Sequence, residues 1–139
     1  SPMSRGLGDV YKRQDKEPIL GGHVYVAPPG YHMLVEEDQT LAFSTGRPVL
    51  FSRPAIDELF YSAGAVYGRH LLGVILTGAN EDGAAGMEYI HRRGGYTIAQ
   101  SPVSSEAPAM PEAAITTGAI SRVLDLEAIG PFLAEQVAG

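Results

Sequence analysis

Leu71-Leu72-Gly73-Val74-Ile75-Leu76-Thr77-Gly78-Ala79-Asn80-Glu81-Asp82-Gly83-Ala84-Ala85-Gly86-Met87 is the stretch that decides the fold. Its first six residues are continuously apolar and lie between turn formers. A strand buried on both faces has this composition, and such strands belong to parallel sheets. The glycine-rich run after Leu76 leads into a helix predicted over Asp82 to Arg93. Ala84, Met87 and Ile90, with His91 at the margin, mark its inner stripe. Arg92 and Arg93 complement the negative end of that helix, and Gly94-Gly95 stops it. Tyr96 to Ala99 is the next strand. Strand, helix and strand make one βαβ unit with a right-handed crossover.

Towards the N-terminus, the apolar residues Ile56, Leu59, Phe60, Ala63, Val66 and Tyr67 recur at helical spacing. They predict a helix from Pro54 to Tyr67, with Pro54 at its first position and Gly68 as its stop. Met33 to Glu36 and Thr40 to Phe43 flank Glu37-Asp38-Gln39 and predict a β-hairpin with a three-residue loop. His23 to Ala27 is a β-rich run ended by Pro28-Pro29-Gly30. Towards the C-terminus, Gln100 to Met110 is a polar loop, and Pro111-Glu112 opens a short helix that Gly118 ends. Ala119 to Leu124 is a last strand. Asp125 is placed to cap a terminal helix whose stripe is Leu126, Ile129, Phe132, Leu133 and Val137, and Pro131 should kink or restart it. The fold class is therefore α/β: three layers, a mostly parallel sheet with helices on both faces, and a β-hairpin.

Residues 1–14 show neither helical nor strand period and no apolar core of a signal peptide. They resemble translated vector or adapter sequence and are set apart as a leader. Residues 15–139 are taken as one domain, without linker or internal repeat. A chain of 139 residues at 45% apolar and 19% charged composition suits one globular domain. The net charge of -6 and the absence of a basic stripe leave nucleic-acid binding without an electrostatic footprint. No apolar run approaches a membrane span. Without cysteine there is no disulfide framework and no thiol nucleophile. The four histidines, His23, His32, His70 and His91, are scattered without metal spacing.

Sites in open α/β sheets gather at the carboxyl ends of the strands, and Thr77 to Gly83 is such a place. Small residues there let another backbone approach closely. Two roles stay open for Asp82. It caps a helix or stabilises its first turn, or it accepts a histidine N–H and holds that ring in the tautomer a general base needs. Glu81 is the neighbouring, solvated acid. Gly78, Gly83 and Gly86 do not form the dinucleotide fingerprint, and no Gly-Lys-Ser/Thr follows. None of the serines lies in Gly-x-Ser-x-Gly at a strand-to-helix turn. Ser44-Thr45-Gly46 reads as a turn. His32 is the histidine placed to border a cleft. The 100–110 loop, through Ser104, Ser105 and Glu106, either contacts a substrate or is a solvated connection.

Several motifs occur together in a fixed order. They are Gly22-His23-Val24-Tyr25-Val26-Ala27-Pro28, Arg53-Pro54-Ala55-Ile56-Asp57-Glu58-Leu59-Phe60, Leu76-Thr77-Gly78 through Asp82-Gly83-Ala84-Ala85-Gly86-Met87, Thr97-Ile98-Ala99-Gln100 and Ala109-Met110-Pro111-Glu112-Ala113-Ala114-Ile115. This series resembles the catalytic domain of the bacterial chemotaxis protein-glutamate methylesterases (CheB type) over about Pro18 to Val137. The resemblance implies a carboxylic ester hydrolase that cleaves glutamyl methyl esters on chemoreceptor cytoplasmic domains, with glutamine deamidation in some members. It implies a Ser-His-Asp mechanism, with Asp82 as the aspartate, and no cofactor. Composition and spacing point to a cytoplasmic protein with no metal, nucleic acid or membrane insertion. Phosphorelay partners are implied where a receiver domain lies upstream. The chain departs from the family at two points. The Gly-x-Ser-Thr-Gly-Gly and Gln-His motifs do not precede Gly22, so the chain is expected to be the C-terminal portion of the domain, lacking nucleophile and base and inactive alone. Ala79-Asn80-Glu81 stands where relatives often have Gly-Met-Gly. The alternative is a non-catalytic module that binds receptors or a regulatory partner.

Overall fold

The computed structural model describes residues 16–45 and 55–138. Pro54 and residues 1–14 lie outside them. The elements in order are β1 (Glu17–Pro18), β2 (His32–Val35), β3 (Thr40–Ser44), α1 (Ile56–Tyr67), β4 (Leu72–Ile75), α2 (Ala84–Arg92), β5 (Tyr96–Gln100), α3 (Ala109–Thr116), β6 (Arg122–Leu124) and α4 (Leu126–Ala138), with 3₁₀ turns at Gly68–His70 and Pro102–Ser104. No helix among the described residues is long and apolar enough to cross a membrane.

β4, β5 and β6 form the parallel sheet, with Val74 opposite Ile98 and Ile98 opposite Arg122. Helices cover both faces. α2 lies over Gly73, where a Cβ would stand 2.9 Å from Ile90 and 3.1 Å from Met87. α4 lies over the other face, where Phe132 stacks on Tyr96 at 5.9 Å and Arg122 sits over the Phe132 ring. The hairpin is not part of this sheet. β2 and β3 pair antiparallel, β1 adds to the outer side of β3, and the three make a separate small sheet. The loop 37–39 is as expected. Gln39 N–H donates to Glu36 O, Glu36 N–H donates to Thr40 O, and Gln39 takes the left-handed conformation at φ 61, the usual geometry of a three-residue hairpin loop. α1 is shared between two apolar clusters. Ala63, Leu59 and Val66 pack with Met33, Val35, Leu41 and Phe43 of the small sheet. Ile56 and Phe60 pack with Ile75, Met87, Ile90, Met110 and Ala114 beneath the parallel sheet.

Several expectations need correction. His23 to Ala27 is not a strand. Tyr25 turns inward, its hydroxyl donating to Pro18 O and accepting from Leu20 N–H, while Val24 is 91% exposed. The run alternates correctly but has no partner strand among the described residues, and β propensity alone does not make a ladder. β4 is not buried on both faces. Gly73 and Ile75 are buried under α2, whereas Leu72 and Val74 are half-buried, because α4 covers the sheet over β5 and β6. α2 starts at Ala84, after a left-handed Gly83, so Asp82 precedes the helix, and His91 is exposed rather than on the inner stripe. The last strand shrinks to three residues, and α4 runs through Pro131 without restarting. Asp125 accepts the Ser101 hydroxyl at 2.5 Å, and Leu126 N–H donates to Ser104 Oγ.

The fully buried Thr97 pins the incoming end of β6. Its Oγ1 donates to Ala119 O at 2.5 Å and accepts Ser121 N–H at 2.8 Å. Thr97→Val keeps the shape but strands the Ala119 carbonyl in the interior. It should lower unfolding stability by about 1–3 kcal/mol, seen as a lower urea midpoint at unchanged m-value. An unchanged midpoint would remove the polar tie from the account of β6.

Candidate functional site

The first turn of a helix carries N–H groups with no partner inside the helix. α1 starts without a side-chain cap of its own, since Ala55 occupies the cap position. Two distant side chains serve instead. Asp82, 3% exposed, places Oδ2 at 2.7 Å from Ile56 N and Oδ1 at 3.0 Å from Asp57 N. The buried His32, from β2, accepts Ala55 N–H on Nδ1 at 3.1 Å. A neutral ring accepting on Nδ1 carries its proton on Nε2. The positive end of the α1 dipole faces the Asp82 carboxylate and favours it there. Asp82 is itself held from behind, its N–H donating to Asn80 Oδ1 at 2.9 Å.

The contact is returned by α1. Asp57 Oδ1 accepts Gly86 N–H from the first turn of α2 at 2.7 Å. Two glycines make the approach possible. Gly83 holds φ 101, and a side chain there would collide with Ile75. A Cβ at Gly86 would stand 2.6 Å from Phe60 Cβ and 3.0 Å from Asp57 Oδ1. Burial pushes the Asp57 carboxyl above the ordinary carboxylate range. The Gly86 N–H pulls it back, and the nearby Asp82 charge pushes it up again.

The loops beside Asp82 are tied to one another at the carboxyl ends of the strands. Gln100, 1% exposed, accepts Thr77 N–H on Oε1 at 2.9 Å and donates from Nε2 to Ser104 O at 2.8 Å. Thr77 Oγ1 accepts Ala107 N–H, and Gly78 N–H donates to Ala107 O. The predicted 100–110 loop is therefore an ordered staple between the ends of β4, β5 and β6. Ser101 and Ser104 bond each other and reach Asp125 and Leu126 at the start of α4.

Asp82 is thus at the carboxyl end of β4, as expected, and Glu81 beside it is exposed. His32 belongs to the same constellation, through the N-terminus of α1. His23, His70 and His91 are exposed and lie outside it, and His23 bonds Gly21 O locally. Ser44 ends β3 opposite His32. Among the described residues, no group of three or more His, Asp or Glu could hold a metal ion. The reading from sequence missed Asp57, which looked like any acid in a first helical turn, and Gln100, which looked like the start of a loop. The buried amide at the end of a β run was the one available signal for the latter.

The Asp82 carboxylate replaced by an amide keeps one acceptor but turns N–H against N–H at the other. Asp82→Asn should cost about 1–3 kcal/mol in a denaturant melt, and a cost near zero would argue against the cap. Asp57 supplies a pH signature. A carboxyl whose folded pKa is raised contributes stability below its unfolded pKa and loses it as pH rises through the folded one. Asp57→Asn cannot ionise and still accepts Gly86 N–H. Its melting temperature should match that of the unsubstituted chain near pH 2 and exceed it increasingly towards pH 6 (about two units either side of the ordinary aspartate value). A constant or shrinking difference would contradict the assignment.

Comparison with known proteins places these features in a family. The model of the CheB methylesterase family matches residues 7–133, a span that opens within residues 1–14. A relative from Leptospira interrogans serogroup Icterohaemorrhagiae serovar copenhageni is 49% identical over 120 residues, covering 86% of this chain and 62% of that protein. The protein-glutamate methylesterase/protein-glutamine glutaminase 1 of Myxococcus xanthus is 44% identical over 132 residues, covering 93% of this chain and 38% of that protein. The crystal structure of the Thermotoga maritima CheB methylesterase catalytic domain superposes with a TM-score of 0.82 at 27% identity, over 87% of this chain and 66% of that one. The chain thus spans under two thirds of the length of these curated relatives. It belongs to the CheB methylesterase family.

Proposed function

We propose that the chain carries the acid of a Ser-His-Asp ester hydrolase that removes methyl groups from glutamyl side chains of chemoreceptor cytoplasmic domains, with glutamine deamidation as its second reaction. Asp82 is that acid. The observation that carries the reading is a buried carboxylate at the carboxyl end of a parallel strand, inside the family's most specific motif and pinned by two backbone N–H groups. Each carboxylate oxygen has two lone pairs, so two helix bonds leave room for a histidine N–H. The relatives' names support the substrate class.

In this mechanism a serine oxygen attacks the ester carbonyl while the histidine takes its proton. The tetrahedral intermediate expels methanol, which receives that proton, and water then cleaves the acyl-enzyme by the same route. For a glutamine the leaving group is ammonia. Asp82 holds the imidazole in the correct tautomer and stabilises the imidazolium without taking the proton itself. The Thr77 and Gly78 N–H groups are already bonded to Gln100 and Ala107, so oxyanion donors come from elsewhere. None of these 139 residues supplies the Gly-x-Ser-x-Gly nucleophile motif. We take the 139-residue polypeptide to be inactive by itself and the reaction to occur in the cytoplasm on receptor helices.

Methanol release from a methylated receptor fragment tests this. In the full-length gene product, Asp82→Asn should lower kcat by about 10³- to 10⁴-fold, the scale of losing a triad acid, and the 139-residue chain alone should show no turnover above buffer. An Asp82→Asn protein with native kcat would end the assignment of Asp82. Native turnover by the short chain would end the claim that its nucleophile lies elsewhere.

A further inference from the structure

We infer that Asp57 is a positioning residue for Asp82, holding the acid in place through a closed ring of bonds between the first turns of α1 and α2. The inference rests on the reading of Asp82 as the hydrolase acid. Both oxygens of Asp82 are bonded to the start of α1, one to Ile56 N–H and one to Asp57 N–H. Where the carboxylate points is therefore set by where that turn of α1 sits. Apolar contacts of Ile56 and Phe60 hold α1 near α2. Contacts of that kind are non-directional and leave a helix free to rotate or slide by tenths of an ångström. A hydrogen bond has a narrow range of length and angle. Such a bond links the two turns, from Gly86 N–H to Asp57 Oδ1 at 2.7 Å.

The ring closes through few atoms. It passes along the backbone from Asp82 to Gly86, across to the Asp57 side chain, and back through Asp57 N–H to the Asp82 carboxylate. Gly86 is what allows it to be this small. A Cβ there would press on Phe60 and on the Asp57 oxygen itself. The Asp82-Gly83-x-x-Gly86 spacing thus brings an acid and the helix turn that fixes it within one clasp. Asp57 acts on the reaction through the direction of Asp82.

The test uses the full-length gene product and methanol release from a methylated receptor fragment. Asp57→Ala should lower kcat by about 10- to 100-fold, the effect of misplacing a group by up to 1 Å, with KM unchanged. Asp57→Asn, which keeps an oxygen for Gly86 N–H, should recover most of that loss. Gly86→Ala should reproduce the loss from the other side of the bond, and decides the matter with Asp57→Asn if Asp57→Ala does not fold. In ¹H–¹⁵N spectra of the 139-residue chain, the Ile56 amide should shift and exchange faster in Asp57→Ala but not in Asp57→Asn. If Asp57→Ala keeps native kcat while Asp82→Asn is inactive, the positioning role is wrong and the acid reading stands. If Asp57→Asn falls as far as Asp57→Ala, charge and not the bond to Gly86 matters, and the proposal fails. If Asp82→Asn keeps native kcat, both fall.

Discussion

α1 enters the molecule between two sheets with its first N–H groups unpaired by anything in its own sequence. A buried donor left without an acceptor costs about as much as several ordinary hydrogen bonds return, so this helix cannot dock until other parts of the chain supply oxygen or nitrogen lone pairs. His32 comes from the small antiparallel sheet and Asp82 from the end of the parallel one. The junction of the two sheets is therefore a polar joint inside apolar surroundings, and both apolar clusters are built around it. The left-handed Gly83, the absent side chain at Gly86 and the reach of Asp57 are consequences of bringing two helix starts that close together.

A second polar joint has the same logic. The carboxyl ends of parallel strands leave loops that must be held in register, and here buried side chains do the holding. The Gln100 amide spans from Thr77 to Ser104, and Thr97 spans to Ala119 and Ser121. A satisfied polar network in a low-dielectric interior is directional in a way that packing is not. The surface around Asp82 thus rests on ordered loops, although its sequence is rich in glycine, serine and proline.

The helices, the hairpin and the parallel βαβ unit were legible because each leaves a local period or a turn signature. What could not be read locally was partnership. Asp82 was open between helix cap and orienting carboxylate. It is a cap, but of α1, about 25 residues earlier in the chain, and no window along the sequence joins those positions. His23 to Ala27 has strand composition and, among the described residues, no strand beside it. Leu71 to Leu76 has the composition of a doubly buried strand, yet α4 reaches only over its neighbours. Thr97 and Gln100 sit in an apolar run as ordinary strand residues until their partners 22 and 23 positions away are known. Composition reports the environment a segment tolerates, and tertiary contacts decide which part of it is realised.

The capping bond of Asp82 also bears on how such a domain would change over generations. A nucleophile that only performs chemistry can be lost without harm to folding, so a lineage released from selection for hydrolysis would let it drift. Asp82 is not free in that way, because the start of α1 depends on it whether or not an ester is ever cleaved. Descendants that no longer turn over substrate would still carry the aspartate and the glycines beside it. In this fold an intact Asp-Gly-x-x-Gly segment records that the two helices still meet, and only the residues with no structural duty record that the reaction is still under selection.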